Sequence, residues 1–324
     1  MLSTPLSSDV LGKDGLSNDD VFVVCEFYGI RAPKRCIQNG RGLVNSVYEF
    51  DEAFFLGVYR RRTRDQLEAI ADVACDMDDA IPMPKPIKGS GGYSFQIASG
   101  FTLLTPRLPG VHYVGVAHTE KEPIPTEMHR SLAAFFWELQ KRLSAVSQEL
   151  KMKLESSSVM NIGEMPTQLP QIVRFFERYA GNGDLPKFRY PDLIHDDLER
   201  QNILSRNGKI TGLVDLDSLR TGDILYEFGH FLFNFVLCDP GADFSVIDLY
   251  INELVKAGII EHRDIPALYG HIFSFVVSDV IEFQQLSENP IRERYANIDM
   301  GLLLKQYDRA LALASAYFSG IFSM

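Results

Sequence analysis

The spacing of apolar residues alternates between helical and strand periods along the chain, and each change predicts a different kind of element. Val21, Val24, Cys25 and Tyr28 recur at helical intervals behind Asn18 and stop at Gly29, which predicts a first helix capped by Asn18. Short β-branched and aromatic runs follow at Arg35–Gln38, Leu43–Phe50 and Ala53–Tyr59, the first two joined by Asn39-Gly40-Arg41-Gly42. A helical period returns from Thr63 to Met77, with Leu67, Ile70, Ala71 and Ala74 as its stripe. Prolines make Ile81–Ile87 extended, and a Gly-rich turn then leads to strands at Tyr93–Ala98 and Phe101–Thr105. After Pro106-Arg107-Leu108-Pro109-Gly110 the pattern is mostly helical. Helices are expected at Arg130–Leu150, Leu169–Tyr179, Tyr226–Phe235, Val246–Ala257, Ile265–Gln285 and Ile298–Phe318, with polar irregular chain at His112–Thr126. The two prolines mark a boundary, dividing the chain into 1–106 and 107–324. The fold class is α+β: an antiparallel sheet with a helix, then a mainly helical part.

One apolar pair of runs lies inside the helical half. Asn202–Arg206 and Lys209–Asp215 flank Asn207-Gly208, the strongest short-range signal for a hairpin, because both turn residues must take positive φ. A two-residue turn pairs Arg206 with Lys209 and, counting back, Asn202 with Leu213. Asp215 then falls on the same face as Asn202, diagonally across at roughly 7–8 Å. An amide oxygen and a carboxylate so placed can share a hard divalent cation, whose oxygen ligands lie at about 2.0–2.1 Å for magnesium. Asp217 falls on that face again.

Upstream, His195, Asp197 and Asn202 complete the pattern H-x-D-x-x-x-x-N. One carboxylate that receives or orients an acceptor hydroxyl, with an Asn and a second carboxylate holding magnesium on nucleotide phosphates, is what phosphoryl transfer requires. Spacing to His195 and Asn202 selects Asp197 as the base; neighbouring side chains in extended chain point apart, which leaves Asp196 as a solvated or backbone-capping residue.

The segment H-D-D-L-E-R-Q-N followed by G-L-V-D-L-D resembles the catalytic segment of the aminoglycoside phosphotransferase, choline kinase and homoserine kinase superfamily, usually written H-G-D-L-H-x-x-N and I-D-[WF]-[DE]. It departs from that wording at Asp196 and Glu199. The resemblance implies a bilobal protein-kinase-like fold, with His195 bracing the loop. Thr221-Gly222-Asp223 and Tyr226-Glu227 are similar to the family's G-D-P-x-x-D, which implies a structural, loop-tethering role for Asp223.

In the first half, strand, Gly-containing turn and strand have the layout of a loop covering nucleotide phosphates, which points to Gly40 and Gly42; Asn45-Ser46-Val47-Tyr48 resembles the family's N-x-V-Y. Many relatives carry a Lys or Arg where this chain has Gly57. Arg61 shares parity with Gly57 and stands in as the phosphate cation, and Glu68 occupies the place of the acid that pairs with it. Pro106 and Leu108 fall in the segment resembling the connection where adenine meets backbone. The acceptor pocket of such kinases comes from the last helices, where Asp279 and Glu282 share one face of an otherwise apolar stretch and would bind a cationic or polyhydroxy acceptor.

Composition narrows the class. The 324 residues carry a net charge of -11, which opposes a nucleic-acid surface. The four cysteines match no zinc or redox spacing, which points to free thiols in a reducing, cytoplasmic setting. No basic leader with an apolar core, and no membrane-length apolar run, is visible. The expectation is therefore a kinase, monomeric or homodimeric, moving the γ-phosphate of ATP or GTP, with Mg2+, to a hydroxyl of a small molecule: an aminoglycoside or other antibiotic, or an amino alcohol such as choline or homoserine. A non-catalytic nucleotide-binding module and a protein kinase remain open as alternatives.

Overall fold

A computed structural model describes residues 16–39, 45–77, 81–112, 123–154, 190–241, 243–265, 267–276 and 300–322. The chain divides into two units, Met1–Pro109 with Gln148–Leu154, and Gly110–Ser147 with Glu155–Met324.

In the first unit, α1 (Asn18–Tyr28) opens with a capping box between Ser17 and Asp20 and closes on Gly29 at φ 64°. The cap is Ser17, one residue before the expected Asn18, because the Ser17 hydroxyl reaches the Asp20 N–H; such a cap is worth about 1 kcal/mol. Five strands form one antiparallel sheet in the order β1-β2-β3-β5-β4: β1 (Cys36–Asn39), β2 (Ser46–Phe50), β3 (Phe54–Tyr59), β4 (Ser94–Ile97) and β5 (Gly100–Pro106). Val21, Val24 and Tyr28 of α1 are buried with Tyr48, Leu56, Val58 and Leu104 of the sheet. The helix α2 (Arg64–Asp76) is capped by a Thr63–Gln66 box, close to the predicted span.

The expected helix at Arg130–Leu150 is two helices. α3 (Thr126–Ala145) ends where Val146 turns extended, and α4 (Gln148–Lys153) packs on α2 in the first unit. Tertiary packing, not local period, places that break.

Among the described residues, the second unit holds two small antiparallel sheets. β7 (Pro191–Ile194) pairs with β10 (Arg220–Asp223), and β6 (Val111–His112) pairs with β8 (Ile203–Arg206), which pairs with β9 (Lys209–Leu213). Neither β7 nor β10 was anticipated; Arg220-Thr221-Gly222-Asp223 carries no apolar alternation. The helices among the unit's described residues are α3, α5 (Ile224–Leu232, continued by a π turn at Phe233–Leu237), α6 (Phe244–Lys256), helical residues 267–276, and α7 (Met300–Phe322). Phe136 of α3 meets Phe228 and Phe231 of α5 at 5.3 and 4.8 Å between ring centroids, and Phe231 meets Tyr250 of α6. Gly229 lets α5 approach residues 271–272 closely, since a Cβ there would lie 3.2 Å from the Ile272 nitrogen. The expected helix at 169–179 and the loops around it lie outside the described residues. Among the described residues no helix is long and apolar enough to cross a membrane.

Candidate active site

β7 delivers the chain to His195, and the next eight residues form a loop that ends in a single 3-10 turn, Arg200–Asn202. His195 is fully buried; its Nδ1 accepts the Asp197 N–H at 3.3 Å, which leaves the ring proton on Nε2. Burial pushes its pKa down to about 4, so the ring stays neutral and braces the loop. Asp196 takes φ 65°. That is the position the resembling family fills with Gly, and an aspartate tolerates it better than most residues. Its carboxylate is not a free solvated group: it is partly buried and ion-paired with Arg220.

Asn202 sits across from Asp197. Its Nδ2 donates to the Asp197 carboxylate at 2.7 Å and to the Asp197 carbonyl at 2.8 Å, so its side-chain oxygen is turned away from both. The hairpin turn forms as expected, with Asn207 at φ 53° and Gly208 at φ 71°. Its register differs by one residue. Arg206 pairs with Lys209, but a bulge between Leu204 and Ser205 leaves Thr211 unpaired in the ladder, so Ile203, not Asn202, faces Leu213. Gly110 makes room for the bulge, since a Cβ there would meet the Thr211 hydroxyl. The strand ends at Leu213, and Asp215 turns back at φ 65° to cap a 3-10 turn, Leu216–Ser218. A left-handed turn, and not the pleat, brings Asp215 to the site. Backbone of this kind in a non-glycine residue costs of order 1–3 kcal/mol, and it clusters at functional sites.

The acids crowd one another. Burial, then the charge of Glu199, raise the Asp197 carboxyl well above the usual range, with the Asn202 hydrogen bond opposing and Asp217 and Asp196 adding. Asp215 is raised too, by crowding protein atoms and then by hydrogen-bonding contact with Asp217, with Asp197 and Glu199 contributing. Asp215 nonetheless keeps an exposed face, which limits its desolvation; the packed acids are the more durable cause. A cluster of oxygen donors that repel one another fits a hard divalent cation.

Behind the loop, Glu227 of α5 is fully buried and accepts the Asp196 N–H at 2.8 Å as well as the Gln140 side-chain N–H of α3. Burial pushes it up to about 8. Asp223 is buried at the start of α5, where it accepts the Leu225 N–H at 2.8 Å. Arg200 is fully buried and pairs with Asp239 at 3.0 Å, and Asp239 also accepts the N–H groups of Ile124 and Gly241. Arg200 was not identified from sequence; 39 residues separate it from Asp239, and no local pattern joins the two.

Sequence and structure comparisons bear on this arrangement. Residues 35–250 match the profile described as the phosphotransferase enzyme family, APH. The chain belongs to that family. No curated protein matches it in sequence. Among solved structures it is similar to the GDP complex of wild-type aminoglycoside 2'-phosphotransferase-IIIa, with TM-score 0.62 and 15% identity over 89% of this chain and 97% of that one. The amicoumacin kinase hAmiN in complex with AMP-PNP, Ca2+ and Ami gives TM-score 0.63 and 13% identity over 90% and 91%. Spectinomycin phosphotransferase APH(9)-Ia, in complex with ADP and spectinomycin, gives 0.56 and 13% over 92% and 97%. The shared fold is the protein-kinase-like one.

At Gly57 a Cβ would lie 2.5 Å from the Tyr59 hydroxyl and 2.6 Å from its ring, so the Tyr59 side chain folds over the place where relatives of the resembling group carry a cation. β3 stops at Tyr59, so the parity that linked Arg61 to Gly57 ends before it; Arg61 is exposed, past the strand. Glu68 is used within the unit: it accepts the N–H of Tyr93 at 2.9 Å, and both the N–H and the hydroxyl of Ser94 at 2.7 Å. Burial works against its charge, but these bonds outweigh burial and hold the carboxyl below the usual value. Asn45 is buried beside β2, Pro106 ends β5 opposite Phe54, and Leu108 is partly buried. Gly40, Gly42, Asp279 and Glu282 lie outside the described residues.

Proposed function

We propose that the protein transfers the γ-phosphate of a nucleoside triphosphate, ATP or GTP, to a hydroxyl group of a small molecule. The observation that carries this reading is the Asn202–Asp197 contact at 2.7 Å, beside Asp215. It supports a reading in which one acid receives a proton while the amide oxygen of Asn202 and the carboxylate of Asp215 remain for a cation, with Asp217 adjoining. Asn202 and Asp215 would hold magnesium, which would supply charge neutralisation for the phosphates. Asp197 orients the acceptor hydroxyl and takes its proton; His195, Glu227 and Arg200 keep the loop in place while it does so. Positioning and electrostatics carry most of such a transfer, and no covalent intermediate with the protein is needed.

The acceptor proposed is a hydroxylated, amine-bearing antibiotic or an amino alcohol. The similar structures include an aminoglycoside, an amicoumacin and a spectinomycin enzyme, and an acidic chain of charge -11 favours cationic ligands. Asp279 and Glu282 are the proposed acceptor-side acids. Gly40, Gly42, Asn45, Pro106 and Leu108 are the proposed nucleotide contacts.

A second reading, a nucleotide-binding module without turnover, is favoured by Tyr59 lying over Gly57. A protein kinase is disfavoured because β10 and α5 follow Asp215 almost at once, with no stretch for an activation segment. The test is phosphate incorporation, read by mass, across a panel of aminoglycosides, other antibiotics, choline and homoserine with Mg-ATP and Mg-GTP. Turnover that Asp197→Asn lowers about a hundredfold or more supports the kinase. Nucleotide binding without turnover on any acceptor supports the module.

A further inference from the structure

We propose that Asp197, Glu199 and His230 form a binding site for a divalent transition ion of the zinc class, and that an ion held there takes Asp197 out of action. One ligand atom from each residue lies within 4.8 Å of the other two. Two of the three are acids of the loop. The third comes from α5, 33 residues on, and takes no part in the proposed transfer.

His230 is the observation that points to a ligand. Only 3% of its surface is exposed, and neither ring nitrogen has a hydrogen-bond partner among the described residues. A buried polar group without a partner is destabilising, and native structures rarely keep one without a use. Stacking on Phe275, at 3.9 Å between centroids and 19° between planes, fixes the ring face and leaves the nitrogens at its edge. The ring stands at the end of α5, just before the π turn Phe233–Leu237, and π turns inside helices recur at functional sites. Burial keeps the imidazole neutral, the form that binds a metal. The charged neighbour Arg220 is already paired with Asp196, and His195 is neutral.

The donor set decides the ion. Imidazole nitrogen suits zinc, cobalt, nickel, copper or iron, whereas magnesium prefers oxygen ligands of the kind Asn202 and Asp215 offer. Two carboxylates and one neutral imidazole balance a dication. Ligand atoms around a tetrahedral zinc at about 2.0 Å stand roughly 3.3 Å apart, so closure needs side-chain adjustment of order 1 Å, with a fourth position left for water. An Asp197 bound to such an ion cannot also accept a proton. That consequence, unlike the site itself, rests on Asp197 being the base of the proposed transfer.

The experiment is titration of the full-length, nucleotide-free protein with Co2+, followed by visible absorption and calorimetry, with Zn2+ displacing the Co2+. The expected result is one ion per chain with four- or five-coordinate cobalt bands. His230→Gln and Glu199→Gln should each weaken binding about a hundredfold or more, a ligand mattering at least as much as the groups that orient it. Glu199 is partly exposed, so its variant folds even where the buried His230 change does not; circular dichroism checks both. Absence of the cobalt bands, or affinity unchanged in the folded variants, overturns the site. Zn2+ should also slow phosphate transfer at saturating Mg-ATP, and Glu199→Gln should relieve that inhibition. Binding that needs both residues while transfer is not slowed keeps the metal site and removes Asp197 from the role of base.

Discussion

The carboxylate of Glu227 accepts the backbone N–H of Asp196 at 2.8 Å, so a buried acid on α5 holds the residue next to the proposed base. The link passes through backbone, which explains why the chain tolerates Asp196 where the resembling family has Gly: its side chain turns to Arg220 while its N–H stays on Glu227.

Glu227 should leave a signature in stability against pH. Its carboxyl is raised from 4.5 to about 8 on folding, chiefly by burial. The folded state therefore holds a proton that the unfolded state has released, and the stability this contributes is complete below about pH 4.5 and is lost as pH rises through about 8. Denaturant midpoints of the wild type should fall across that window relative to Glu227→Gln, which has no proton to lose. Parallel curves for the two proteins would refute the assignment. Glu227→Ala should in addition lower kcat about ten- to a hundredfold through the loosened loop.

Asn202→Ala and Asp215→Asn should raise the Mg2+ concentration needed for half-maximal transfer about tenfold or more. Folding should change little for Asp215→Asn, because Asn also accepts the left-handed backbone at φ 65°. Unaltered Mg2+ dependence in both variants would show that the cation is held elsewhere.

Arg200→Met should destabilise the second unit by about 3–5 kcal/mol, since it leaves Asp239 charged and buried without its partner. Adding Asp239→Leu should recover only part of the loss, because the N–H groups of Ile124 and Gly241 then lose their acceptor. Urea unfolding of the single and double variants measures this; a single variant as stable as wild type contradicts it.

Gly57→Ala should cost about 0.5–1.5 kcal/mol, because the added carbon pushes the half-buried Tyr59 ring aside from its rotamer. Tyr59→Ala should remove that cost, giving a coupling of that size in a double-mutant cycle. Additive effects would mean that the ring does not fill the space above Gly57. Gly57→Lys should tighten ATP binding only when combined with Tyr59→Ala, as read by calorimetry.

Much of this protein is legible in its residues because local physics decides it. Asn207-Gly208 could make only a tight turn of positive φ, and the Thr63–Gln66 box set the start of α2 within a residue. The order of His195, Asp197, Asn202 and Asp215 pointed to the reaction class before any coordinates. Tertiary structure decided what depends on contacts between distant residues. A bulge at Thr211 shifted the hairpin register, and a left-handed turn then carried Asp215 to the site by a route the pleat does not predict. Packing on α2 broke the long helix at Val146, and the tertiary fold set the partners of Glu227 and Arg200 and buried His230. Local sequence sets backbone preference over a few residues; desolvation, close approach and pairing of charges arise only when the chain has brought its distant parts together.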